Sequence, residues 1–354
     1  MAVTLRTLFR YVWLWVLFLP PTHSWADHGD GSALLRMHFV DVGHGDAIWI
    51  QTPAGARSPS GLNIIIDGGP DRRGSNRLLT YLQSYGLKPG SVIDYVIATH
   101  PHDDHYPGLI DVLEKYEVRN IIDSGYPEQG EDFQVFLDAA KAETVQGQRA
   151  SFVRLRSQPD LPLAWGKLEA RILHADRADL KGMGSEGTRN NNASIVLRLA
   201  YGSFSFLLMG DAEGKEREQS PETAHYVEEL LLTKFGPGGL RSTLLKAAHH
   251  GSETGSTLPF LRAVNPDMVV IMAGRKSFRG TYLPDASVLR RYKTVRPDVV
   301  VLRTDEGDAA QRLKSTNDAD GDDVLIYTDG DSLSAYRAVG ANGRRRWKLV
   351  KAIP

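Results

Sequence analysis

Apolar and polar positions first alternate at Leu35, Met37 and Phe39, with Arg36 and His38 between them, and that period of two predicts a strand. Further strands are predicted at 47–51 and 62–66, around a Pro/Gly/Ser loop at 53–61. Their corners read Asp41-Val42-Gly43-His44-Gly45-Asp46 and Asp67-Gly68-Gly69-Pro70. The period then lengthens. Leu78, Leu79, Leu82 and Tyr85 share one helical face, closed by Gly86 and Pro89-Gly90. A strand at 94–98, a helix over 107–116 and a strand at 118–122 follow. Phe133, Phe136, Leu137 and Ala140 mark the next helix, and strands follow near 152–155 and 168–173. Residues 182–192 are polar without an apolar period and read as a loop, either disordered or belonging to an active site. The segments 194–199 and 204–209 form a hairpin through Tyr201-Gly202. An amphipathic helix is expected over 222–234, and a strand at 244–248 runs into His249-His250-Gly251-Ser252. Strands at 268–272 and 299–302 flank a helix carrying Val288, Leu289 and Tyr292. The tail, 323–327 and 332–336, suggests a closing hairpin over Asp329-Gly330.

Strands and helices alternate, so the fold class is α/β or α+β, and no linker divides the chain. Polar residues recur where strands end, at Asp46, Asp67, His100, Asp211 and His249. The densest case is Thr99-His100-Pro101-His102-Asp103-Asp104-His105, at a strand-to-helix corner, where three histidines and two aspartates fall within six residues. Imidazoles and carboxylates this close repel their own kind unless an opposite charge holds them. A divalent metal does so, because His and Asp are good ligands for zinc and its neighbours.

Composition changes this picture little. The 354 residues are 42% hydrophobic and 24% charged, ordinary values for a globular chain that can bury a core. There is no cysteine, which excludes a disulfide framework and thiolate ligands. The start reads as a secretory leader over 1–26: Arg6 and Arg10 precede an apolar run at 11–19, and Ser24-Trp25-Ala26 offers a cleavage site. A stable membrane anchor needs about 20 apolar residues, and Pro20-Pro21 stops this run short. Residues 27–33 read as a flexible mature N-terminus, residues 34–354 as one folded domain, and export to the periplasm or medium is expected. Net charge is −1, so the chain is no general polyanion binder. Locally, Arg275, Lys276, Arg279, Arg290, Arg291, Lys293 and Arg296 face one acid, Asp285, and could meet phosphate. Arg344-Arg345-Arg346-Trp347-Lys348 reads as a solvated terminal segment or a basic patch.

The corners together resemble a metallo-β-lactamase-fold hydrolase, and more narrowly the hydrolase domain of ComEC-type DNA-uptake proteins. The resemblance rests on 39–47, Ile66-Asp67-Gly68-Gly69, the 99–105 cluster, Asn191-Asn192-Ala193-Ser194, Gly210-Asp211-Ala212-Glu213 and His249-His250-Gly251-Ser252, in order over 34–305. It implies a single-domain αββα four-layer sandwich, with residues 306–354 as an extension or closing hairpin. It also implies two divalent ions, zinc first and manganese second. His100 and His102 would hold one ion, Asp104, His105 and His249 the other, and Asp211 would bridge. His250 would face substrate or donate a proton, giving Asp104, Asp211 and His250 as the catalytic set. Asp46, Asp67, Asn192 and Ser252 would orient ligands or touch substrate. Three departures stand out. Asparagines occupy 190–192, where many members of the superfamily place a third histidine for the first ion. His44 replaces the usual Gln. Thr281-Tyr282-Leu283-Pro284 stands where a Gly-His-Pro is expected. The expected activity is metal-dependent hydrolysis of a phosphodiester, in nucleic acid or an anionic envelope phosphopolymer. The alternatives are hydrolysis of a lactone or β-lactam and a metal-poor binding module.

Overall fold

A computed structural model describes residues 34–354 apart from 56–57, 59, 71–75, 127–129, 158–160, 176–183, 275, 279, 307–320 and 340–345. The expected leader at 1–26, the stretch 27–33, and Arg275, Arg279, Arg344 and Arg345 lie outside the described residues.

The first half of the chain runs β1 (Leu35–Phe39), β2 (Ile48–Gln51), β3 (Asn63–Ile66), α1 (Arg77–Ser84), β4 (Val92–Ala98), α2 (Pro107–Lys115), β5 (Glu117–Asp123) and α3 (Glu131–Ala142). A short ribbon of β6 (Thr144–Val145) and β7 (Gln148–Arg149) leads to β8 (Ser151–Arg154). The second half runs β9 (Glu169–His174), α4 (Glu186–Asn192), β10 (Val196–Tyr201), β11 (Phe204–Leu208), α5 (Tyr226–Leu240), β12 (Leu244–Lys246), α6 (Leu258–Val264) and β13 (Met268–Ile271). A second ribbon, β14 (Ser277–Phe278) and β15 (Thr281–Tyr282), precedes α7 (Ala286–Val295) and β16 (Val300–Arg303). The chain then closes with β17 (Val324–Thr328), β18 (Leu333–Val339) and β19 (Arg346–Ile353).

Two sheets result. One has nine strands in the order β19-β18-β17-β1-β2-β3-β4-β5-β8, the other six in the order β16-β13-β12-β11-β10-β9. The period of two explains their stacking. Leu35, Met37, Phe39, Ile48, Ile50, Ile64 and Ile66 from the first sheet meet Leu197, Leu199, Phe206, Leu208, Leu244, Met268 and Val270 from the second in one inter-sheet core. Their alternates, Trp49, Ile65 and Val96, face outward and are covered by Leu78, Leu82, Leu109, Val112, Phe133 and Phe136 of α1 to α3. On the far side Leu207, Leu245 and Val269 are covered by Val227, Leu231, Phe260, Leu261 and Tyr292 of α5 to α7. The four layers, helix, sheet, sheet, helix, are the αββα sandwich that the resemblance implies. Covering both faces of the central strands is what makes Met268–Ile271 apolar at every position.

Several elements differ from the sequence reading. The polar stretch 182–192 contains helix α4, N-capped by Ser185, whose hydroxyl accepts from the Thr188 N–H. Its buried face is Thr188, Asn191 and Asn192, so its helical period is written in polar residues and has no hydropathy signal. The 323–336 hairpin is part of the main sheet, because β17 pairs antiparallel with β1. The segment read as a solvated terminus or a basic patch, 344–348, runs at Arg346 into β19, which pairs with β18. Of the five members of the basic run among the described residues, three are held by the fold. Arg291 is buried and donates to the carbonyls of Gly255, Ser256 and Glu253 at 2.8–3.0 Å. Lys293 donates to the Val299 carbonyl, Arg296 pairs with Asp267, and Asp285 is taken by Arg217.

Candidate metal centre

All corners gather at one edge of the sandwich, beyond the carboxyl ends of β3, β4, β11 and β12. Close backbone packing holds them together. The Asp46 N–H donates to the Asp104 carbonyl, Gly68 N–H to His105, Gly69 N–H to Asp46, and Gly108 N–H to Gly69. A Cβ on Gly45 would lie 2.2 Å from the Asp104 carbonyl oxygen, and one on Gly108 would lie 2.0 Å from that of Gly68. These glycines let the corner at 41–46 approach the 99–105 loop and the start of α2 approach the corner at 67–69.

His100, His102 and Asp211 converge as one group, with His100 Nε2 3.1 Å from His102 Nδ1 and 3.8 Å from Asp211 Oδ2. A second group is His105, Asp211 and His250. Asp211 Oδ2 is 3.3 Å from His105 Nε2 and 3.2 Å from His250 Nε2. Asp104 Oδ2 lies 3.4 Å from His250 Nε2, and its Oδ1 lies 3.8 Å from His105 Nε2. Asp211 reaches both groups through the same oxygen.

The tautomers follow from the far side of each ring. Thr99 Oγ1 donates to Asp67 Oδ2, which leaves it to accept from His100 Nδ1 at 3.1 Å. His105 Nδ1 donates to Asp67 Oδ2 at 2.8 Å, and His250 Nδ1 to the Met272 carbonyl at 2.8 Å. All three Nε2 lone pairs therefore point into the cluster, and those of His105 and His250 face each other across 3.3 Å. Two lone pairs at that distance repel unless a cation lies between them. Asp211 Oδ1 is buried without a hydrogen-bond partner. This donor set fits divalent metal.

Electrostatics point the same way. Burial pushes His100 and His102 below the ordinary imidazole value. At His105 burial acts downward too, but the Asp211 and Asp67 carboxylates outweigh it and lift the group well above that value. Asp211 and Asp104 do the same at His250. Burial raises Asp104 and Asp211, yet the surrounding imidazoles hold both well below the usual carboxylate range. The cluster thus draws positive charge inward.

The adjacent histidines at 249 and 250 point in different directions. Both have positive φ, 46° and 52°, a strained conformation for non-glycine residues that turns successive side chains apart. His250 is buried in the cluster. His249, whose side chain keeps 25% exposure, turns away to Glu213 Oε1 at 3.0 Å and Thr254 Oγ1 at 3.0 Å. The sequence reading expected His249 in the second group; the geometry places His250 there and His249 outside it. Glu213 also accepts from Asn191 Nδ2 and Thr254 Oγ1. Asn192 is buried and accepts from the Glu213 N–H, so it braces the Asp211 loop from behind. Ser252 lies in the outer network with Arg217 and Thr254. Asp67 accepts from the Thr99 N–H and from His105 Nδ1, and Asp103 is exposed.

Two residues of the centre escaped the sequence reading. His44 is buried, with Nε2 3.3 Å from Asp104 Oδ2 and its ring tilted at 55° against that of His250, centroids 4.4 Å apart. It was legible only as an unusual residue in a recognised corner. Lys246 is fully buried beneath Asp46 and Asp211. Its signal was a lone charge inside the apolar run 244–248.

The sequence pattern of the Metallo-beta-lactamase superfamily matches residues 41–275, from the Asp41 corner to just past β13. The chain belongs to that superfamily. Within it the chain is similar to ComE operon protein 3 of Bacillus subtilis (strain 168), 26% identical over 294 residues, 78% of this chain and 32% of that protein. It is similar to Recombination protein 2 of Haemophilus influenzae, 24% identical over 269 residues, 75% of this chain and 28% of that protein. It also matches competence protein ComA of Neisseria gonorrhoeae, 34% identical over 123 residues, 34% of this chain and 15% of that protein. The resemblance to ComEC-type proteins read from the motifs therefore holds, and the chain spans about a third or less of the length of these relatives. Among the described residues no helix is long and apolar enough to cross a membrane.

Proposed function

We propose that this metallo-β-lactamase-superfamily chain is an exported, metal-dependent hydrolase of a phosphodiester, in nucleic acid or an anionic envelope phosphopolymer. One observation carries the metal dependence: three buried imidazoles spend Nδ1 on Thr99, Asp67 and Met272 and aim Nε2 at Asp211 and Asp104. His100, His102 and Asp211 would hold one divalent ion, and Asp104, His105, His250 and Asp211 a second, with zinc foremost and manganese next. When bound, such ions supply Lewis-acid activation of water and stabilise charge that develops on phosphoryl oxygens. Asp67 keeps His105 in the tautomer that offers Nε2, and the Met272 carbonyl does so for His250. His249 takes the outer role first expected of His250: as an imidazolium whose Nδ1–H donates to the Glu213 carboxylate, it would give its Nε2 proton to a leaving oxygen and return to the neutral ring. The relatives named for competence and recombination support a nucleic-acid substrate. The basic n-region, apolar run and Ser24-Trp25-Ala26 support export.

The test uses purified protein beginning after Ala26. Metal per chain is measured, and a phosphodiester, single-stranded DNA and nitrocefin are assayed, with His102→Ala as control. Two metals per chain and phosphodiester cleavage lost in the variant are expected. Cleavage of nitrocefin alone would replace this reading with a β-lactam hydrolase. Absence of metal and turnover with every added divalent ion would leave a binding module.

A further inference from the structure

A lysine ammonium lies in the wall of the candidate centre with no exposure to solvent. Lys246 ends β12 at a position whose parity with Leu244 turns it toward the inter-sheet core, so its methylene stem packs as a core side chain would. Its Nζ donates to the Gly210 carbonyl at 3.0 Å, pairs with Asp46 Oδ2 and stands 3.8 Å from Asp211 Oδ1. Asp46 comes from the other sheet, so the ammonium ties the two sheets together at the site. Asp46 Oδ1 is in turn 3.4 Å from His250 Nδ1. Asp211 thereby has one oxygen turned to Lys246 and the other, Oδ2, turned to His100, His105 and His250.

A charge count shows what the ammonium does. The buried carboxylates within the groups that could hold metal are Asp46, Asp67, Asp104 and Asp211, four negative charges; Glu213 is buried too but pairs with His249 outside those groups, and the imidazoles are neutral when they ligate. Two divalent ions bring four positive charges, and Lys246 is then surplus. Buried charges a few ångströms apart are poorly screened, so one unit of surplus is felt across the whole centre.

We propose that Lys246 is a positioning residue that sets the sign of the site: it weakens cation binding, leaves the loaded centre positive, and so selects an anionic substrate. This rests on the reading that the cluster holds two divalent ions. Asp46 is the counterweight. Neutralising Lys246 makes the centre more negative, and neutralising Asp46 makes it more positive. The two substitutions should therefore act in opposite directions, whereas damage to the fold moves both the same way.

The experiment compares wild type, Lys246→Met, Asp46→Asn and the double variant at pH 8. Zinc and manganese affinity is measured by competition with a chelator, and inorganic phosphate affinity by calorimetry on the loaded protein, with circular dichroism as the check on folding. Lys246→Met should bind metal at least about tenfold tighter and phosphate at least about tenfold more weakly, a floor that one charge a few ångströms away at an effective dielectric near 20 exceeds. Asp46→Asn should do the reverse, and the double variant should return close to wild type. If Lys246→Met does not fold, Lys246→Gln replaces it, and Asp46→Asn alone still decides the sign. Folded variants that both lose metal affinity, or that leave both affinities unmoved, overturn the proposal. A wild type that binds no metal overturns instead the reading on which it rests.

Discussion

At the scale of the residue, the roles of His249 and His250 turn on two backbone angles. Both residues sit in the left-handed region, so one side chain enters the cluster and the other leaves it. Substituting the two should separate metal binding from proton transfer. His250→Ala should lower metal content toward one ion per chain and cut turnover by more than about a hundredfold, beyond the 10–100-fold typical of groups that only orient a ligand. His249→Ala should keep its metal and still lose roughly 10²–10⁴-fold in turnover. Metal analysis beside steady-state rates checks this, and metal loss in His249→Ala with none in His250→Ala would reverse the assignment.

At the scale of the element, the centre depends on how closely the end of β3 approaches the start of α2. The corner at 67–69 and the first turn of α2 touch backbone to backbone. A Cβ on Gly68 would lie 2.5 Å from the Leu109 nitrogen, and one on Gly108 would lie 2.0 Å from the Gly68 oxygen. Neither neighbour is a side chain that can swing away. Gly108→Ala should cost about 3 kcal/mol or more, the upper end for overpacking, and should displace His105, whose carbonyl accepts from Gly68 N–H. A urea melt with a metal titration tests this, and an unchanged midpoint would refute the contact. Helix α4 shows why an element can hide from a hydropathy reading. Its buried side chains, Asn191 and Asn192, serve Glu213 and the Asp211 loop and not the apolar core.

At the scale of the whole molecule, the last three strands are structural parts of the sheet that carries the site. β17 pairs with β1 from Leu35↔Thr328 to Phe39↔Val324, and Val324, Ile326, Leu333 and Ala335 belong to the inter-sheet core. Asp41 accepts from the Gly321 and Asp322 N–H groups, and the Asp41 N–H donates to Asp323. A chain ended at residue 306 would expose the edge of β1 and apolar core surface. It should accumulate as insoluble protein, and the soluble fraction after expression measures this. A soluble, metal-loaded truncation would show that β17 to β19 are dispensable.

The sequence by itself determined most of the elements and the corners that carry candidate ligands, and its resemblance to a known family supplied the layers. Alternation of period two and helical spacing are local properties of the chain, so strands and helices were legible from apolar positions. The ligand-bearing corners were legible because His, Asp and Gly crowd at fixed spacings after strands. Only the tertiary structure decided which side chains converge. Which neighbour of the 249–250 pair enters the cluster depends on backbone angles that no composition reveals. Lys246 and His44 joined the centre because strands distant in sequence bring them beside Asp46, Asp211 and Asp104. Most of the basic run at 275–296 that falls within the described residues proved structural, because carbonyls and acids from other elements already hold Arg291, Lys293 and Arg296. Convergence across two sheets is a long-range property, set by the packing of the sandwich and invisible to any window along the chain.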